Sequence, residues 1–176
     1  HGSGSVIWAR QAVQRQLFSL SQRAGFFDSS LAQVGDVAPY EPASSSLRQL
    51  GNLFNRVRTV KYPFNEVYVE NPAGGYLVVD SYNPAAGEIV SRKMTQLWRI
   101  SKKAAITYVR EAATKYAPGT RIADVPKNVE SGLASQRLQG RVYLEVPIQS
   151  KPVPQTVLDV ARRLDVWIRD VSGKVY

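Results

Sequence analysis

The stretch Tyr76–Leu97, "YLVVDSYNPAAGEIVSRKMTQL", decides the fold class because it combines two strand-like patterns with one short turn. Apolar and β-branched residues on both sides of "NPAAG" predict strands over Tyr76–Tyr82 and Glu88–Trp98. Asp80 and Lys93 interrupt the apolar pattern of these strands. Charged side chains among apolar neighbours are candidates for chemistry, and they are equally the material of a salt bridge across a hairpin.

The segments around this hairpin extend the prediction to a whole sheet. "NEVYVENPAGGYLVVDSY" alternates on both sides of Asn71–Gly75, which predicts one more strand and therefore an antiparallel meander of three strands. Apolar residues three and four apart predict helices over Ser45–Val57 and Ser101–Ala117. "VYLEVPI", "PQTVLDVARRLD" and "VWIRDV" predict a strand, a helix and a strand. This order predicts an α/β fold with a mixed sheet.

The sequence before the meander predicts a separate N-terminal segment. An amphipathic pattern over Val6–Gln22 is followed by a polar connection, Asp28–Ser46, so we expect a helical appendage over residues 1–42 and a main domain over residues 43–176. Residues 1–5 resemble the remnant of an expression tag. No apolar run reaches the roughly 18 residues of a membrane helix and no signal-peptide pattern is present, so we expect a soluble chain without stable membrane association.

The composition excludes several classes of catalysis. The chain has no Cys and its single His stands at position 1, which excludes thiolate catalysis, Ser-His-Asp triads, His-Cys zinc sites and two-histidine ribonuclease mechanisms. Carboxylates, Lys, Arg, Tyr, Ser and Thr remain, with a metal bound through oxygen as a possible addition. A net charge of +9 favours a polyanionic partner, most often nucleic acid and sometimes an acidic membrane surface or an acidic protein.

A polar constellation forms if the predicted hairpin folds as expected. Asp80 is predicted near the end of its strand, while Ser91, Lys93 and Thr95 alternate onto one face of the next strand. This arrangement resembles the PD-(D/E)xK nuclease core, in which carboxylates hold a divalent cation and a Lys stabilises the charge that develops on the phosphate. Gln96 is a further candidate for orienting water or phosphate.

The spacing of Asp80, Ser91 and Lys93 resembles that of a known group of toxins. Together with "GEIVSRKMTQL", "YAPGTRIADVP", "YLEVPIQ" and "IRDVSGKVY", it is similar to the restriction-endonuclease-fold toxin domains of bacterial contact-dependent inhibition and other polymorphic toxins, over roughly Asn65–Tyr176. The resemblance implies a restriction-endonuclease-like fold and a metal-dependent nuclease that cleaves tRNA or DNA with Mg²⁺ or Zn²⁺. It also implies a cognate immunity protein, secretion or cell-surface delivery by the producer, and action in the target-cell cytoplasm.

The resemblance also assigns roles to individual residues. Asp80 would bind the metal, Lys93 would stabilise the transition state, and Ser91 would replace the usual second acid. Members of the family add a Glu from the helix before the meander, but the predicted helix contains no acid. The missing ligand would then come from Glu41, Glu66 or Glu88, of which we take Glu66 as a catalytic candidate and Glu88 as a metal ligand beside Asp80.

Two further expectations concern the surroundings of the site. The stretch from Ser91 to Lys115 contains seven Lys or Arg residues and one acid, Glu111, and this predicts a phosphate-binding surface beside Lys93. Glu145 in "YLEVPI" could face the same site from the neighbouring strand, but we favour the alternative that it faces outward. The alternative to a nuclease is a basic domain that binds nucleic acid without cleaving it, in which Asp80 and Lys93 form only a structural pair.

Overall fold

A computed structural model describes residues 44–176, so the predicted appendage over residues 1–42 lies outside the described part of the chain. Within that part, four helices and five strands follow one another in an α/β arrangement. Their bounds in chain order are α1 Ser44–Thr59, β1 Phe64–Glu70, β2 Tyr76–Asn83, β3 Glu88–Arg92, α2 Lys102–Lys115, α3 Pro126–Glu130, β4 Arg141–Val146, α4 Gln155–Arg163 and β5 Val166–Asp170.

The five strands form one mixed sheet in the order β1-β2-β3-β4-β5. Strands β1, β2 and β3 are antiparallel neighbours, whereas β4 is parallel to β3 and β5 is parallel to β4. The predicted α/β class, the mixed sheet and the meander are therefore confirmed. Helix α3 was not predicted, because five residues opened by Pro126 are too few to show a helical period.

Strand β3 is shorter than the sequence predicts. It ends at Arg92 rather than Trp98, because the chain turns where Thr95 N–H donates to the Lys93 carbonyl. The apolar residues that prolonged the strand pattern lie in the following loop, where Leu97 is fully buried. Burial in a loop and burial in a strand therefore leave the same apolar signal in the sequence.

The two faces of the sheet have different chemistry. Helices α2 and α4 pack together against one face, where the core is almost entirely apolar and includes Ile89, Leu144 and Ile168. The other face carries Ser81, Arg92 and Glu145, with side chains that contact one another and α1, as the alternation of strand residues requires. A polar, buried layer thus lies between the sheet and α1.

The alternation of side chains between the two faces of β2 shifts by one residue near Asp80. Core residues Val79 and Tyr82 are three positions apart on β2, an odd interval that a regular strand would place on opposite faces. On β1 the residue opposite Asp80 is Glu66, which has a positive φ of 50°, and the regular pairs resume only on either side of this level. Asp80 is the fifth of eight residues in β2, with three strand residues between it and the turn.

Gly140 offers a test of the packing at the start of β4. It has a φ of +124°, and a Cβ added there would lie 2.3 Å from the carbonyl atoms of Gly87. We expect Gly140→Ala to lower the free energy of unfolding by roughly 2–4 kcal/mol, because the strained backbone and the backbone clash add together. Urea unfolding of both Gly140→Ala and Gly173→Ala separates the clash from the backbone strain, because Gly173 has a φ of +94° but open space around an added Cβ. Equal losses in both variants would contradict the role of the clash.

Candidate active site between strands β2 and β3

Asp80 lies where β2 and β3 separate. The regular pairs between these strands end at Ser81 and Val90, and beyond them Oδ2 of Asp80 accepts a hydrogen bond from the Arg92 N–H at 2.7 Å. Burial raises the pKa of Asp80, and the Arg92 N–H together with the positive charges of Arg92 and Lys93 opposes this rise. The result is a desolvated carboxylate, held in one orientation by the backbone, that a further cation would stabilise.

Lys93 is the first residue after β3. Its N–H donates to the Glu145 carbonyl at 3.0 Å, which prolongs the pairing with β4 by one bond. Its ammonium lies 4.9 Å from the centre of the Tyr108 ring and 3.6 Å from Oε2 of Glu111. The side chain is 35% exposed, so an anion in solution can reach the ammonium without a change in the backbone.

Ser91 lies on the core-facing side of the same corner. It is only 2% exposed and hydrogen bonds with the Tyr116 hydroxyl. Burial raises the pKa of Tyr116, the negative charges of Asp80 and Glu111 add to the rise, and the bond with Ser91 opposes it. The phenol therefore stays protonated at neutral pH, and Ser91 faces the core rather than solvent.

Glu111 is the one acid in the basic stretch from Ser91 to Lys115, and it also belongs to the candidate site because it forms an ion pair with Lys93. It lies on α2 with Tyr108 and Lys115, three and four positions away, so the three side chains share one face of the helix. Helical spacing could have predicted this shared face. Nothing local in the sequence predicts that the face meets Lys93, because that contact depends on how α2 crosses the sheet.

A cleft of about 420 Å³ opens beside Asp80 on the α1 side of the sheet. Glu66 also lines the cleft, and its side chain is 74% exposed with an ion pair of 3.6 Å to Lys127. Carboxylates and carboxamides supply oxygen atoms along the wall, and Arg56 and Arg92 supply positive charge. The full lining is Asn52, Asn55, Arg56, Thr59, Glu66, Asp80 and Arg92.

A buried ionic cluster lies next to this cleft and includes Arg92, which also lines the cleft. Glu145 has no exposed surface and accepts hydrogen bonds from Arg58 and Arg92, each at 2.7 Å, and from Tyr62 at 2.9 Å. Burial alone would raise the pKa of Glu145, but the bond from Arg58 and the charges of both arginines outweigh it and lower the pKa. The expectation that Glu145 faces outward is wrong, because α1 covers β4 at this point.

Arg92 connects the buried cluster to the site. Its guanidinium contacts Glu145 and the Ser81 hydroxyl, the latter at 2.7 Å, while its N–H is the group that orients Asp80. The side chain is 1% exposed. The position of the Asp80 carboxylate is therefore tied, through one residue, to an ion pair in the interior of the protein.

Two of the predicted site residues, Glu88 and Gln96, contact other partners and not Asp80. Glu88 pairs with Asn83 at the opposite end of β3 and forms an ion pair of 2.5 Å with Arg169, so it is not brought to Asp80. Gln96 is 1% exposed and its carboxamide contacts the Ile148 carbonyl and the Trp98 indole. Asp80 and Glu66 line the same cleft, and the Arg92 N–H that Asp80 accepts lies between Ser91 and Lys93 in the chain.

The donor atoms at this corner suit one class of metal. Within residues 44–176 no group of three or more His, Cys, Asp or Glu residues could hold a metal ion. Asp80 and Glu66 nevertheless provide two carboxylates on one cleft, and Mg²⁺ is commonly bound through one or two carboxylates with water in its other positions. Zn²⁺ prefers sulfur and imidazole ligands, and the chain has no Cys and only His1. The residues fit Mg²⁺ better than Zn²⁺.

Comparison with known proteins returned no relative of the chain. No protein-family model matches it, and neither the characterised proteins nor the solved structures gave a significant match. In the described residues, no helix has the length and apolar character needed to cross a membrane.

Proposed function

We propose that this protein is a metal-dependent endonuclease with a restriction-endonuclease-like core. The observation that carries the proposal is the corner where Asp80 lies between diverging strands and Lys93 follows the end of β3. The order of elements supports it, because a helix, an antiparallel meander and a helix leading to a parallel fourth strand resemble that core. Catalysis from this corner needs no His or Cys.

The proposed mechanism assigns a task to each side chain at the corner. Asp80 and Glu66 would hold a divalent cation, which when bound supplies Lewis-acid stabilisation and lowers the pKa of a bound water. The Arg92 N–H keeps the Asp80 carboxylate in one orientation. Lys93 stabilises the negative charge that develops on the scissile phosphate, and Glu111 holds its ammonium in place. Ser91 hydrogen bonds with the Tyr116 hydroxyl on the core side of the same corner.

The substrate class follows from charge. A chain with a net charge of +9 binds polyanions, and phosphodiesters are the polyanions that this corner could hydrolyse. We propose tRNA or DNA as the substrate and a toxin role in target bacteria, with delivery from the surface of the producer and action in the target cytoplasm. Such a toxin requires an immunity protein, and an acidic one would complement the basic surface.

The proposal is tested by giving the purified protein, residues 1–176, two substrates, total tRNA and supercoiled plasmid DNA, with Mg²⁺ and with EDTA. We expect discrete products from one substrate in Mg²⁺ and none in EDTA. Sequencing the product ends would then identify the cleaved bond. Intact tRNA and DNA in every metal condition would contradict the nuclease assignment.

The role of Lys93 gives a separate prediction. We expect Lys93→Ala to lower the single-turnover cleavage rate by roughly 100- to 1,000-fold, the usual effect of removing one charge-stabilising group from a transition state. Lys174→Ala is the matched control, because it removes the same charge from an exposed site near the C-terminus. If both variants retained the wild-type rate, Lys93 would have no part in the chemistry.

A second candidate function is a basic domain that binds nucleic acid without cleaving it. It is favoured by the partners that the charged groups already have, since Lys93 contacts Glu111 and Tyr108 while Asp80 accepts the Arg92 N–H. In this case the protein would bind tRNA or DNA with strong salt dependence, and no substrate would be cut in the presence of any metal.

A further inference from the structure

We propose that Trp98 and Lys151 form a binding subsite for an unpaired nucleotide of the substrate. Trp98 lies in the loop after β3 and Lys151 in the loop after β4. The carboxyl ends of parallel neighbouring strands meet at the same edge of a sheet, and Lys93 begins the first of these loops. The inference rests on the proposed function in one respect, since it takes nucleic acid as the ligand.

The Trp98 ring is fixed by hydrogen bonds. Its indole N–H donates to Oε1 of Gln96 at 3.0 Å and to the Ser150 hydroxyl at 3.1 Å. Gln96 is itself locked, because its Nε2 donates to the Ile148 carbonyl at 2.9 Å and its Oε1 accepts the Ser150 N–H. A buried carboxamide therefore holds a partly exposed indole in one orientation, and such a ring loses little conformational entropy on binding.

A second carboxamide joins the same two loops. Oε1 of Gln149 accepts the Leu97 N–H at 2.8 Å, and its Nε2 donates to the Thr95 carbonyl at 3.0 Å. The loops after β3 and β4 are thus crosslinked by two glutamines that reach in opposite directions. Because of this crosslinking, the subsite is formed before any ligand arrives.

The exposed face of the ring carries a cation that a base could displace. The Lys151 ammonium lies 4.5 Å from the centre of the Trp98 ring, and such an exposed contact contributes about 0.5–1 kcal/mol. Stacking of a nucleobase on an aromatic side chain contributes roughly 1–3 kcal/mol. A base can therefore take the place of Lys151 on the ring, and the released ammonium can pair with the phosphate of the same nucleotide.

The charge around Trp98 favours a polyanion. From Lys93 to Lys103 the chain carries four basic residues and no acid. Two of them, Lys102 and Lys103, lie in the first turn of α2, where the helix dipole makes a cation unfavourable by about 0.3–1 kcal/mol. A phosphate backbone passing this edge would offset that cost, and the same backbone would lead to Lys93.

The geometry favours an unpaired nucleotide over a duplex. The faces of bases inside a duplex are covered by their neighbours, so an aromatic ring can stack only on a base that is unpaired or at an end. A single fixed ring with Lys151 over its face fits one splayed base. A loop of folded RNA or a single strand meets this requirement.

The experiment compares one labelled RNA of 12 nucleotides as a single strand and annealed to its complement. Binding is measured by fluorescence anisotropy in EDTA, with full-length protein that carries Asp80→Asn so that no strand is cut. We expect Trp98→Ala to weaken single-strand binding about tenfold and duplex binding less than twofold. Trp98→Tyr should recover part of the loss, because it keeps an aromatic face.

Trp167→Ala is the matched control for loss of a tryptophan. Trp167 also lies under a cation, with Arg141 at 4.2 Å from its ring, but it is on β5 and contacts Tyr143 edge to face. We expect its removal to leave both affinities within twofold. Equal weakening by Trp98→Ala of both substrates, or no more weakening than Trp167→Ala causes, would overturn the subsite.

A second measurement covers the case in which Trp98→Ala fails to fold. In a Trp8→Phe, Trp167→Phe protein, Trp98 is the only tryptophan, and we expect the single strand to quench its fluorescence while the duplex does not. Equal quenching by both RNAs, or none, would overturn the subsite. The outcomes are independent of cleavage, so a protein that stacks bases but cuts nothing would refute the nuclease proposal and keep this inference.

Discussion

Asp80→Asn is expected to abolish cleavage and to stabilise the fold at the same time. The amide removes the charge that holds a cation, so we expect the cleavage rate to fall by at least about 1,000-fold. The amide oxygen can still accept the Arg92 N–H, so the local geometry is retained. A buried carboxylate that binds a cation costs the fold stability, and a neutral amide of the same shape avoids that cost but loses the function.

The stability effect follows from the pKa of Asp80. Because burial raises the pKa in the folded state, ionisation of Asp80 costs the fold stability as the pH rises above about 3.9, the ordinary value in an unfolded chain. We therefore expect Asp80→Asn to gain roughly 1 kcal/mol at pH 7 and less in acid. Urea unfolding at both pH values measures the gain. A loss of stability at pH 7 would show that the carboxylate serves the fold rather than a function.

Glu145→Gln is expected to be the most destabilising single substitution at a polar position of the described structure. The variant keeps the volume of the side chain but leaves Arg58 and Arg92 without their negative partner in the interior. Removing one partner from a buried ionic cluster costs about 3–5 kcal/mol, because the remaining charges are neither solvated nor paired. Urea unfolding measures the loss, and circular dichroism tells whether the variant folds.

Glu70→Gln provides the control for Glu145→Gln. Glu70 pairs with Arg121 at the surface, and its side chain is 48% exposed, so we expect a change below about 1 kcal/mol. The pKa of Glu145 is lowered in the fold, so its contribution is present above about pH 4.3 and is lost as the pH falls through the folded value. The difference between wild type and Glu145→Gln should narrow in acid. A loss below 1 kcal/mol at pH 7 would contradict the structural role of Glu145.

Loss of the Glu145 pair should also affect the proposed active site. Arg92 is anchored by Glu145 through its side chain and orients Asp80 through its N–H. If Glu145→Gln folds, its cleavage rate should fall although Glu145 contacts no solvent. Arg92 is therefore the residue through which a change in the buried cluster would affect Asp80.

Much of the fold could be predicted from local sequence. Alternation with β-branched residues located β1 and β2, and apolar residues at helical spacing located α1, α2 and α4, because these signals depend only on which face of an element is buried. The turn "NPAAG" fixed the antiparallel pairing of β2 and β3. The early end of β3 was missed since Leu97 is buried in a loop, where no local pattern distinguishes it from a strand residue.

The site was predictable only where its residues belong to one hairpin. Asp80 and Ser91 each lie one residue beyond the last pair of β2 and β3, and Lys93 follows the end of β3, so strand order alone predicts that they are neighbours. Glu111 contacts Lys93 from α2, and Arg58 contacts Glu145 from α1. Both contacts depend on how the helices cross the strands. Glu66 approaches the site because the strands change phase at its level, and the sequence carries no signal for a positive φ there.

The most direct test of the central claim compares cleavage and binding in one pair of preparations. Wild type and Asp80→Asn, purified in parallel, are given the same end-labelled substrate in Mg²⁺, after EDTA, and after Mg²⁺ is restored. We predict that wild type cuts only in Mg²⁺ and recovers on its return, and that Asp80→Asn cuts under none of these conditions while its Kd stays within about threefold. Cleavage by both proteins, or by neither, would contradict an active site at Asp80.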